Sequence, residues 1–193
     1  IDAATELFRI KGYEQTTMEE IAARADVSPP TLYRYFPRKT ELLIAFFWKE
    51  RERLAKALDD FHKKSAAMDA VESVAGLLYL NNSGVRSKAA RKLWREAMAA
   101  LLRTHDTADD EFRAVKQYFE KHIERMLQRL SRDSLISKDA PLAALVNVLY
   151  AIAAENYHRM LANDFASPDA EKTAIAAAVE ANPRNYIAQP TLA

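Results

Sequence analysis

Residues 28–39, SPPTLYRYFPRK, gather groups suited to binding a polyanion. Arg34, Arg38 and Lys39 supply three cations, and no carboxylate falls among them. Lys39 and the hydroxyls of Thr17 and Tyr35 can meet phosphate oxygens, while Arg34 and Thr31 can reach base edges. Pro30 and the Thr31 methyl can touch a thymine methyl. Over the whole chain 28 Lys and Arg face 27 Asp and Glu, a formal charge of +1. Bulk charge therefore does not announce a nucleic-acid binder; the local concentration does. A short amphipathic helix with core aromatics would share the spacing of Tyr33, Tyr35 and Phe36, so spacing alone does not decide between the two readings.

A second set of residues could line a cavity. Trp94, Met98, Leu101, Phe119, Ile123, Met126, Asn147 and Tyr150 recur at helical spacing on three central helices. Together they suit a small, mostly apolar or aromatic ligand; singly, each also fits plain core packing. Asn147 is the most suggestive, because an amide inside an apolar stretch needs a partner if it is buried. A third set is acidic: Asp106, Asp109, Asp110 and Glu111. It could hold the Mg²⁺ of an all-α enzyme. No second acidic cluster answers it, so complementing a helix dipole is the preferred role. His62, His105, His122 and His158 show no metal-ligand spacing, and no metal or cofactor is expected. The absence of cysteine excludes disulfides and thiolate sites, and it fits a reducing, cytoplasmic setting.

The elements that must position these groups are all helical. Glycine is scarce at 3 and no β-alternating stretch of useful length occurs. Ile1, Ala4, Leu7 and Phe8 mark a first helix that Gly12 stops. Thr17 with Glu20 forms a capping box for a second helix ending near Ala25. Asp26 is the turn residue, and Val27 and Leu32 are the expected apolar plugs. Ser28, followed by Pro29 and Pro30, caps a third helix that Pro37 terminates. A small residue, Ala22, four positions before Asp26 completes a helix-turn-helix spacing. A long fourth helix starts near residues 38–40. Further helices are expected near 68–81, 87–104, 108–131, 140–163 and 169–181. The apolar run 142–154 is too short to cross a bilayer, which takes about 20 residues. The chain opens at Ile1 inside a helix, so a start further upstream, with a basic arm, is expected.

The string from Thr17 to Phe36, with Pro37-Arg38-Lys39 and Glu41-Leu42-Leu43 after it, resembles the DNA-binding domain of the tetracycline-repressor (TetR) family. The likeness begins at Ala3-Ala4 and Leu7-Phe8, passes Gly12-Tyr13 and ends near Phe47. Asp26 and Pro30 depart from it, standing where the family usually has glycine or a small residue. The resemblance implies an all-α homodimeric regulator, a repressor, with a helix-turn-helix domain over 1–47 and a ligand-binding and dimerisation domain over 48–193. It implies double-stranded operator DNA as partner and release by a small effector. It also implies DNA contacts at Thr17, Ser28, Pro30, Thr31, Tyr33, Arg34, Tyr35 and Lys39. The apolar helix 140–163 and the alanine-rich helix 169–181 fit a two-fold interface.

Overall fold

The computed structural model describes residues 1–104, 108–162 and 167–181, with the side chains of 101–112 left aside. Among the described residues the chain forms nine α-helices and no strand. They are α1 (Asp2–Lys11), α2 (Met18–Arg24), α3 (Pro29–Tyr35), α4 (Lys39–Lys64), α5 (Ala70–Asn81), α6 (Lys88–Thr104), α7 (Ala108–Arg132), α8 (Leu142–Ala162) and α9 (Pro168–Ala181). Each expected helix is present.

Local chemistry sets the boundaries. Gly12 ends α1 at φ 91°, a conformation that costs glycine little, and its N–H donates to the Phe8 carbonyl. Thr17 accepts from the Glu20 N–H while the Glu20 carboxylate accepts from the Thr17 N–H, so the capping box closes both ways. Ser28 accepts from the Thr31 N–H at 3.3 Å, and the prolines occupy the first turn of α3. Asp69 caps α5 through the Glu72 N–H at 2.7 Å.

The chain divides into two compact units. The first joins Ile1–Arg53 to Gly84–Asp109; the second joins Leu54–Ser83 to Asp110–Ala193. In the first, Ala4, Phe8, Ile21, Ala22, Leu42, Leu43 and Phe46 are buried, and α1 packs on α6. Trp94 of α6 stands edge-on to Phe46 and Phe47, with ring centroids 5.8 and 5.2 Å away. The second unit is built on one continuous apolar core that includes Leu58, Leu77, Leu78, Ile123, Met126, Leu130, Leu149 and Ile175. α5 and α9 are in extensive contact within it.

Candidate nucleic-acid interface

The turn between α2 and α3 is tight. The Val27 N–H donates to the Ala22 carbonyl at 3.0 Å, and Asp26 sits at φ 55°. Aspartate tolerates this left-handed conformation better than most residues, though less well than glycine. Ala22 is fully buried, so the two helices meet over a bare methyl. Leu32 is the buried anchor of α3 at 7% exposure. Val27 is not a second plug: it is 39% exposed, because its place in the turn spends its backbone on α2 and leaves its side chain outside.

With Leu32 as its only buried residue, α3 leaves most of its surface free. Ser28, Pro30, Tyr33, Arg34 and Tyr35 are exposed, and Thr31 is half-buried. The exposed groups are already ordered among themselves. Ser28 Oγ and Thr31 Oγ1 share a hydrogen bond at 2.8 Å, so one hydroxyl proton of the two remains to be offered elsewhere. The Arg34 guanidinium lies 5.0 Å from the centre of the Tyr35 ring. The Tyr33 hydroxyl donates to the Glu19 carboxylate at 3.1 Å. Desolvation first, and then that carboxylate, hold the Tyr33 pKa above its ordinary value. The ring therefore keeps its proton, which in this arrangement is hydrogen-bonded to Glu19. Thr17, on the other arm of the motif, is exposed as the α2 cap.

Lys39 is engaged differently. Its ammonium donates to the carbonyls of Tyr13 (2.7 Å), Thr16 (2.9 Å) and Glu14 (3.1 Å), and it lies 4.4 Å from the centre of the Tyr13 ring.

The residues expected to line a ligand cavity fall into both units. Trp94 (buried) and Met98 (half-buried) belong to the first. The Leu101 side chain and the acidic set Asp106, Asp109 and Asp110 lie outside the described side chains. Phe119, Ile123 and Met126 are buried along one face of α7 in the second unit, and Tyr150 is packed against the same core with Lys116 over its ring. Asn147 is exposed rather than buried. α8 turns Leu145, Leu149, Ala153, Asn156 and Met160 inward, and Asn147 falls outside that stripe. The buried amides are elsewhere: Asn82 donates to Glu171 at 2.9 Å, and Asn156 to the Ile152 carbonyl at 2.7 Å.

Sequence reasoning also missed a buried histidine pair. His62 Nε2 and His122 Nδ1 are 3.1 Å apart in the second unit, with rings stacked at 5.3 Å. The two are 60 positions apart. Each occupies an inward position of its own helix, so no spacing signal could have joined them.

Residues 1–46 match the family model for bacterial regulatory proteins of the tetR family. Over those residues the chain is similar to the DNA-binding part of that family. It is 30% identical over 148 residues to the HTH-type transcriptional repressor KstR of Rhodococcus jostii (strain RHA1). That match takes in 76% of this chain and 64% of the Rhodococcus protein, just under two thirds of its length. The fold is that of a putative TetR-family regulator from Mesorhizobium loti, with a TM-score of 0.72 at 21% identity, covering 97% of this chain and 94% of the other. It is also that of FadR from Bacillus subtilis, solved in complex with stearoyl-CoA, with a TM-score of 0.64 at 16% identity and coverage of 92% and 94%. The chain therefore pairs an N-terminal helix-turn-helix with further helices. Among its described residues no helix is long and apolar enough to cross a membrane.

Proposed function

We propose that this chain is a tetR-family, ligand-responsive transcriptional repressor, acting in the cytoplasm as a homodimer on a palindromic operator. The observation that carries the reading is the outward face of α3, which presents hydroxyls and the Arg34 cation with no carboxylate of its own and is anchored by Leu32 alone. Thr17 and Tyr35 are assigned to phosphates, and so is Tyr33, whose hydroxyl must exchange the Glu19 carboxylate for the phosphate; Arg34 and Thr31 are assigned to base edges, and Ser28 and Pro30 to the groove wall. Lys39 supports this face and is taken up below. Two copies related by a two-fold axis would set their α3 helices about 34 Å apart, one turn of duplex.

For the two-fold contact, α8 offers a face of small residues, with Ala143, Ala144 and Ala151 exposed beside Val148 and Asn147. The effector belongs in the second unit, near Phe119, Ile123, Met126 and Tyr150, and its lining makes a mostly apolar molecule the best fit. Trp94, Met98 and Leu101 are the further candidates on α6. An effector shifts the DNA-binding equilibrium only by its difference in affinity for the two states. The similar proteins are regulators of transcription, so the Asp106/Asp109/Asp110 enzyme reading gains no support from them.

Selection of duplexes from a random pool tests the reading. The expected product is an inverted repeat whose complex dissociates on addition of an apolar compound, with stearoyl-CoA as the first to try. A pool that shows no enriched sequence after repeated rounds refutes it.

A further inference from the structure

We propose that Lys39 is a positioning residue that clamps the α1–α2 loop beneath the DNA-binding surface, and that it is not a phosphate ligand. The inference rests on the DNA-binding reading above. An ammonium has three N–H donors. Here all three point at backbone carbonyls, those of Tyr13, Glu14 and Thr16, at 2.7 to 3.1 Å. The face of Tyr13 closes over the charge at 4.4 Å, and Phe8 stands edge-on to Tyr13 with centroids 5.3 Å apart. No donor is left for a phosphate oxygen. Turning one outward would strip a carbonyl of its strongest partner.

The position explains the purpose. Residues 12–16 lead straight into Thr17, the cap of α2, while Lys39 is the first residue of α4, just past the end of α3. One side chain thus ties the entry of the helix-turn-helix to its exit. The loop is closed from within as well: Thr16, 1% exposed, donates its hydroxyl to the Gly12 carbonyl at 2.8 Å. Carbonyls that converge on a point suit a compact ammonium. A planar guanidinium cannot send three N–H groups to one such cluster.

The test uses the full chain, a mixed-sequence duplex of about 30 bp and a salt titration. A phosphate ligand contributes about 0.9 to the slope of log K against log salt. Lys39→Met and Lys39→Arg should each lose about tenfold in affinity while keeping the wild-type slope. In the free protein both should raise amide hydrogen exchange at residues 12–17 about tenfold. A slope that falls by about 0.9 in Lys39→Met and returns in Lys39→Arg would overturn the inference, as would unchanged loop exchange in both variants. Wild-type affinity in both variants would overturn it too. If the wild-type chain ignores the duplex at low salt, the DNA-binding reading fails and loop exchange alone decides whether the clamp exists. If Lys39→Met does not fold, Lys39→Arg decides through affinity and loop exchange, and wild-type values of either would overturn the inference.

Discussion

Acidification should unfold the second unit through its buried histidine pair. His62 is 7% exposed and His122 8%, and a single N–H lies between Nε2 of one and Nδ1 of the other. A second proton would have to enter against desolvation and against the cations of Arg125 and Arg129. Burial, then Arg125, then His122 push the His62 pKa down from 6.5 to about 4, and Asp59 opposes them only in part. Burial also lowers that of His122. The unfolded chain takes up its proton near pH 6.5 and the folded chain only near pH 4. Stability from this site is therefore complete above about pH 6.5, falls as the pH drops through that window, and levels off below it. A separation of about 2.5 pH units corresponds to ~3 kcal/mol for His62, and His122 adds loss of the same sign. Urea unfolding measured from neutral pH to about pH 4 reads this directly. His62→Gln keeps a polar partner for His122 but cannot titrate, so its acid limb should be shallower than that of wild type by roughly 2–3 kcal/mol. Carboxylates contribute equally to both proteins and cancel in the comparison. Identical acid limbs in wild type and His62→Gln would refute the reasoning.

Asp26→Gly should stabilise the first unit by up to about 1 kcal/mol in a thermal melt, since it relieves a left-handed backbone held by a residue with a Cβ; a loss of stability would mean that the Asp26 side chain matters more than its φ. Leu32→Ala should cost ~2–4 kcal/mol, because it removes the one buried anchor of α3, and duplex binding should fall with it. Thr17→Ala removes the hydroxyl half of the capping box, leaving the backbone N–H of residue 17 on the Glu20 carboxylate, and should cost ~1 kcal/mol in the same melt. Thr31→Ala and Arg34→Ala should relax sequence preference in pool selection; uniform weakening across sequences would count against direct base readout.

Where the determining contacts span one turn of chain, the residues alone were enough. Thr17 and Glu20 are three apart, Ser28 and Thr31 likewise, and Gly12, Pro29 and Pro37 act on their own backbone. These contacts form in any context that lets the helix form, so element boundaries and the helix-turn-helix were legible, and with them the exposed Arg34 of α3. What a side chain meets across the fold was not legible. The spacing made Lys39 look like a free cation; only the return of residues 13–16 to the start of α4 supplies the carbonyls that occupy it. Asn147 reads as buried from its apolar neighbours, yet the face α8 turns inward is chosen by the core it packs on. His62 and His122 become a pair only because α4 and α7 come together. The placement of α6 against α1 likewise depends on a contact between segments some 80 residues apart. Helix periodicity and capping are local free energies written in consecutive residues, whereas the pairing of helix faces is a property of the assembled core, and many pairings satisfy the same periodicity.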